Sequence, residues 1–147
     1  EGRLFCRTLL PENATLTAIG GSGKQFWTDG RNWPLPPEWR IPDTTELLGQ
    51  WRIEVTPGQR QREDLFLHVI QVGDRSQLSA MSPVELIKDE ETVGALIRSD
   101  GRTWEIRFAT SGDAAGHVRI LEADCAIIDR SLTDSVAPQV GLLGTPE

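Results

Sequence analysis

From Gln50 to Asp74 the chain reads QWRIEVTPGQRQREDLFLHVIQVGD. Trp51, Ile53 and Val55 alternate with Gln50, Arg52 and Glu54, the period of two that sets one face of a strand in a core and the other in water. Pro57 and Gly58 stop that strand, and the polar run Gln59 to Arg62 leads to a second apolar segment. In the second, Leu65 to Val72, the residues Leu65, Phe66, Leu67, Val69, Ile70 and Val72 leave almost no polar face, the pattern of a central strand covered on both sides. Two such strands on so short a link predict an antiparallel hairpin, and a hairpin this apolar needs a second sheet over it. The expected fold is therefore all-β, a two-layer antiparallel β-sandwich with Trp51, Ile53, Val55, Leu67, Val69, Trp104, Ile106 and Phe108 in its core.

The remaining pattern agrees. Residues 3–10 and 15–19 alternate as strands around a turn at Pro11-Glu12-Asn13. Gly20-Gly21-Ser22-Gly23-Lys24 suggests a phosphate loop, but Gln25 stands where Ser or Thr is needed and Ala18 where Gly is, so a glycine turn is expected. Thr28 to Gly49 has no usable period and holds four prolines with Trp33 and Trp39, a long loop whose indoles either fold back over the sheets or form a sugar-stacking or docking platform. Val84 to Lys88 reads as a short strand and Asp89-Glu90-Glu91 as a solvated turn. If Asp100-Gly101 is a two-residue turn, Ile97 faces Trp104, Ala95 faces Ile106 and Val93 faces Phe108, with Arg98 opposite Thr103 and Gly94 opposite Arg107 on the other side. Residues 118–123 and 126–129 complete the strands, 132–147 reads as a loose tail, and no segment has a helical period.

A chain of 147 residues has room for one domain, 1–147, with a single core. No apolar run approaches the roughly 18 residues of a membrane helix, so no membrane span is expected. The opening Glu-Gly-Arg-Leu-Phe has neither Met nor a signal segment, which suggests a piece of a longer chain. The net charge of −7 is uneven: residues 1–62 carry 8 basic and 7 acidic side chains, and the remainder 7 and 15. That balance argues against nucleic acid as a partner, and an acidic polysaccharide would have to meet a local basic patch. The arginines are scattered and read as solvated strand faces. Cys6 and Cys125 lie in apolar contexts without metal-site spacing and read as two small buried hydrophobes, able to pair only if the first and last strands are neighbours.

Catalytic chemistry is hard to find. His68 lies in the most apolar segment and His117 follows a glycine turn, so both read as core or edge histidines and neither as a base or zinc ligand. Adjacent acids such as Glu63-Asp64 point to opposite faces of a strand and cannot flank one bond. No catalytic, cofactor or metal position is assigned.

The words Gly2-Arg3-Leu4-Phe5, Leu9-Leu10-Pro11-Glu12-Asn13, Gly20-Gly21, Phe26-Trp27, Asp29-Gly30, Asn32, Trp51-Arg52-Ile53-Glu54-Val55 and Asp64-Leu65-Phe66-Leu67-His68-Val69 occur in order across residues 2–74. In them the chain resembles the C-terminal region of heparinase II/III-like polysaccharide lyases. The resemblance implies a helical toroid upstream followed by β-sandwich layers, and cleavage of uronic-acid polysaccharides by β-elimination with Tyr, His and Asn as the catalytic side chains. This chain has no Tyr, and no catalytic position of the family maps onto it. The implied role is a non-catalytic C-terminal sandwich that buttresses the upstream catalytic domains or helps hold an acidic polysaccharide, in an exported, periplasmic or extracellular, parent. An independent carbohydrate-binding module, with Trp33 and Trp39 as stacking faces and Arg31 and Arg40 as charges, and a protein-interaction sandwich remain as alternatives.

Overall fold

The computed structural model describes residues 1–39, 49–112 and 115–132. Eleven strands and one 3₁₀ turn, Pro37–Trp39, make up the regular structure of these residues, so the chain is all-β as its alternation requires. The chain forms two compact units, one from Glu1–Leu9 with the chain from Phe66 on, the other from Leu10–Leu65.

In the first unit, β1 (Gly2–Leu10) pairs with β6 (Leu67–Asp74). The Arg75 N–H donates to the Glu1 carbonyl at 2.8 Å and Thr8 Oγ1 meets His68 Nδ1 at 3.0 Å, so the two strands run antiparallel with the same offset at both ends. A five-stranded sheet follows in the order β11-β10-β9-β8-β7, built from β7 (Val84–Lys88), β8 (Thr92–Ser99), β9 (Arg102–Ala109), β10 (Gly116–Glu122) and β11 (Cys125–Leu132). The Asp100-Gly101 turn has φ of 52° and 74°, and it sets the expected pairs Ile97 with Trp104, Ala95 with Ile106, Val93 with Phe108, Arg98 with Thr103 and Gly94 with Arg107. Positive φ at both central residues matches the right-handed twist of the flanking strands, which is why two residues suffice. The two layers meet where buried Leu9, Val84 and Ala95 pack with Leu67, Val69, Met81, Leu86 and Ile97.

Several expectations about the core are corrected here. The apolar strands of Gln50–Asp74 do not form a hairpin: β5 (Trp51–Thr56) pairs with β2 (Thr15–Gly20), and β6 pairs with β1. The link between them has no two-residue turn, whereas β2 offers Leu16 to Val55 and Ala18 to Ile53 in register. Nor is β6 covered on both sides, since its burial alternates and Ile70 and Val72 are 60% and 69% exposed. Leu67 and Val69 do join the core, but Trp51, Ile53 and Phe108 are exposed. Two strands span only roughly 10 Å against roughly 24 Å for five; the β1–β6 ribbon packs on the β7–β8 side of the sheet, and on the rest of that face Ile120 is buried while Phe108 and Ile128 stay open. Cys6 and Cys125 are free and exposed rather than buried. The expected tail beyond Leu132 lies outside the described residues.

Gly94 marks the tightest point of the large sheet. A Cβ built there would stand 1.9 Å from the Ile106 carbonyl oxygen, a backbone atom that cannot step aside. Gly94→Ala is expected to lower stability by about 1–3 kcal/mol, as overpacking does, measured as a drop in thermal midpoint; an unchanged midpoint would show that the β8–β9 ladder gives way freely.

Candidate functional site

Three features of the described surface can meet a partner, and each follows from local sequence. In the second unit, strand β2 and strand β5 form a ribbon in which Leu16 faces Val55, Ala18 faces Ile53 and Gly20 faces Trp51. Alternation puts all six on one side and leaves Thr15, Thr17, Ile19, Arg52, Glu54 and Thr56 on the other. Among the described residues of this unit no layer covers the apolar side: Leu16, Trp51 and Ile53 are 58%, 61% and 62% exposed. Gly20 and Gly21, at φ of 156° and 80°, let the Trp51 indole lie against the backbone, since a Cβ at either position would stand within 3.0 Å of the ring. The turn expected from these glycines is therefore also a bed for an aromatic side chain.

The second feature lies in the stretch expected to be an unstructured loop, which instead contains a small hairpin. Strand β3 (Trp27–Thr28) pairs with strand β4 (Arg31–Asn32) across Asp29-Gly30, whose φ values of 49° and 77° repeat the geometry of the Asp100-Gly101 turn. Asn32 Oδ1 accepts the Phe26 N–H at 2.9 Å, and the Trp33 N–H donates to the Phe26 carbonyl at 3.1 Å. The Arg31 guanidinium lies 3.2 Å from the Trp33 ring centre, and Trp33 remains 48% exposed. Such a stack contributes roughly 0.5–1 kcal/mol at an exposed site. Of the other residues expected here, Trp39 ends the 3₁₀ turn and Arg40 lies outside the described residues.

The third feature escaped the sequence reading. On the outer face of the five-stranded sheet, a cleft of about 410 Å³ is lined by Thr92, Glu105, Arg107, Ala109, Ala115, Gly116, His117, Arg119 and Asp129. The ladder sets His117 beside Arg107 and Arg119 between Glu105 and Asp129. Arg107 is held at three points: Nε donates to Glu105 at 2.7 Å, and Nη1 donates to Asp89 at 2.9 Å and to the Thr92 hydroxyl at 3.1 Å. His117 Nε2 lies 2.8 Å from Asp129 Oδ1, and Arg119 Nε lies 3.4 Å from Asp129 Oδ2. These arginines, read as scattered solvated charges, are thus gathered by pairing, information that a linear sequence holds only once the register is known.

Asp89 is more than a solvated turn residue. Its carboxylate sits below the ordinary aspartate range because it accepts the Thr92 hydroxyl, then the Glu91 and Thr92 N–H groups, with the Arg107 charge adding to them. His68 is exposed and bonded to Thr8, and among the described residues no cluster of His, Cys, Asp and Glu could hold a metal. No helix among them is long and apolar enough to cross a membrane. A scan of the chain against protein-family models and a search of curated proteins give no match, so the lyase resemblance rests on the sequence words alone.

A carboxylate whose native pKa is depressed contributes stability that is complete above the unfolded value, about pH 4, and is lost as pH falls through the native one. Asp89→Asn is therefore expected to lower the thermal midpoint at neutral pH and to narrow the difference between neutral and strongly acidic midpoints. Parallel curves for the two proteins would show that the Asp89 turn adds nothing that titrates.

Proposed function

We propose that this chain is a non-catalytic, C-terminal β-rich domain of a heparinase II/III-like polysaccharide lyase, docked on the rest of its parent through the apolar face of the β2–β5 ribbon. The observation that carries the docking role is that face itself, five apolar side chains in register beside Gly20, with Leu16, Trp51 and Ile53 more than half exposed. The three exposed side chains offer on the order of 300 Å² of apolar surface, as much as monomeric proteins show in their largest patches. Covering it contributes gross about 8 kcal/mol at roughly 25 cal/mol per Å², before the cost of ordering the partner. A surface of this kind fits a layer that meets another domain better than one that meets water. The lyase identity is supported by the ordered words across residues 2–74; the chain has no Tyr, so the elimination chemistry is assigned to upstream domains. A periplasmic or extracellular parent follows from the same resemblance.

A second reading has one observation in its favour. Trp33 stands half exposed with Arg31 stacked on it, an aromatic face and a positive charge at one place, as an acidic sugar in a binding module would require. Stacking on one ring is worth on the order of 1 kcal/mol, so this pair alone gives weak affinity.

The two readings part on Ile53→Lys. In the isolated chain this change leaves the thermal midpoint within the ordinary scatter of surface variants, about 0.5 kcal/mol, and reduces self-association. In a longer chain carrying the upstream domains it lowers stability by about 2 kcal/mol or more, because a charge is then buried without a partner. No effect on the longer chain, together with sugar binding by the isolated chain that is lost in Trp33→Ala, would favour the module.

Activity gives a separate check. Uronate elimination leaves a conjugated double bond that absorbs in the ultraviolet, and the isolated 147 residues are expected to produce none from heparin, heparan sulfate or alginate. Turnover by the purified chain would overturn the non-catalytic assignment.

A further inference from the structure

We propose that the Asp29-Gly30 turn is a site of covalent modification, where the chain converts itself through a succinimide into an isoaspartyl linkage and so releases Arg31 from Trp33. The sequence holds two Asp-Gly pairs, Asp29-Gly30 and Asp100-Gly101, and each closes a two-residue hairpin with positive φ at both positions. Glycine makes such a pair reactive because nothing shields its nitrogen, and around both glycines no atom beyond the chain neighbours lies within 4 Å of where a Cβ would stand. In the first step the Gly30 nitrogen attacks the protonated carboxyl carbon of Asp29, a C–N bond forms and water leaves. In the second, water opens the ring at the Asp29 main-chain carbonyl and breaks the original peptide C–N bond. The chain is then joined through the side-chain carbon, and the former main-chain carbonyl is a free carboxylate. One water is lost and one regained, so no oxidant, reductant or other reactant is needed.

What separates the two pairs is how each hairpin is held. Ring closure requires the Asp backbone to rotate out of the turn, so the rate follows how often the hairpin opens. Asp100-Gly101 joins β8 to β9, eight pairs long inside a five-stranded sheet, and Ser99 Oγ donates to Asp100 Oδ2 at 3.0 Å. That turn opens only with its sheet. Asp29-Gly30 joins β3 to β4 across two pairs in a sheet of two strands, with the Asn32 and Trp33 bonds to Phe26 as the remaining ties. A ribbon this short is marginal in water. Asp29 is exposed, and among the described residues nothing holds its carboxylate. The isoaspartyl linkage adds one carbon to the main chain, so a turn that two residues close no longer sets Thr28 opposite Arg31 and Trp27 opposite Asn32. The Arg31 guanidinium, 3.2 Å from the Trp33 ring centre, then loses the strand that places it. The inference rests on neither functional reading, but it removes the paired charge and aromatic face that the binding-module reading requires.

The test stores the purified chain in mildly acidic heavy-oxygen water and follows label and isoaspartate in the tryptic peptides 25–31 and 99–102, with the chain unfolded in urea alongside. The native chain is expected to gain both at Asp29 at least roughly tenfold faster than at Asp100, whereas in urea the two sites react alike. In the isoaspartyl fraction, separated by ion exchange, the Arg31 side-chain protons should leave the upfield NMR positions that the Trp33 ring imposes. Asp29→Ser, which cannot form the ring, should end uptake at this site and keep those positions through the same storage. Asp29→Asn, which suits the same turn and loses ammonia more readily than Asp loses water, should react faster at neutral pH and serves if the Ser variant loses the hairpin. A native rate at Asp29 no greater than at Asp100, or no reaction at Asp29 while the urea sample reacts, would overturn the site. Unchanged Arg31 positions in the isoaspartyl fraction would overturn the release of Arg31.

Discussion

A two-stranded ribbon cannot cover a five-stranded sheet, and the first unit is shaped by that mismatch. Its apolar contact runs through Leu9, Val84 and Ala95, with Leu67, Val69, Met81, Leu86 and Ile97 around them. Beyond that strip cover of the inner face is partial: Ile120 on β10 is buried, whereas Phe108 and Ile128 meet solvent. On the far side of the ribbon the same period of two that fills the core places Leu4, Ile70 and Val72 in water, each more than half exposed. Burial is thus limited by the number of strands available and not by the apolar content of the sequence.

The second unit carries the same constraint further. Its β2–β5 ribbon gathers Leu16, Ala18, Ile53, Val55 and Trp51 on one side, but among the described residues of this unit no second layer covers them. A lone two-stranded ribbon is marginal in water, so a sequence that keeps Leu16, Ile53 and Trp51 on one face and beds the indole on Gly20 and Gly21 fits the docking role proposed above. The docking role proposed for this chain rests on that exposed face. The charged face of the large sheet follows an opposite logic, since its arginines and acids pair with one another across strands.

Legibility in the sequence followed the range of the interactions involved. The β8–β9 hairpin was readable in full, because Asp100-Gly101 fixes the turn and the turn fixes every pair up to Val93 with Phe108. The same Asp-Gly signal at Asp29-Gly30 was passed over, since four prolines around it made the whole stretch look irregular. Strand positions were legible from alternation, but the partner of β5 was not: the nearest apolar strand in sequence was chosen, and β2, reached through the glycine turn, pairs with it instead. Which apolar face is covered depends on the count of layers, which periodicity does not encode, so Trp51 and Ile53 were assigned to a core they do not enter. The cleft needed three strands in register to bring Arg107, Arg119 and Asp129 together, and no local pattern announces that.

The central claim, that the β2–β5 face is built to be covered by another domain, is most directly tested by amide hydrogen exchange on the isolated chain and on a longer chain that includes its upstream region. The account predicts that amides of Thr15–Gly20 and Trp51–Thr56 exchange quickly in the isolated chain and become protected by at least roughly tenfold in the longer one, as a fraying ribbon does when it joins a cooperative unit. Equal exchange in both would contradict it, because a face that gains no protection from the parent is not covered by it.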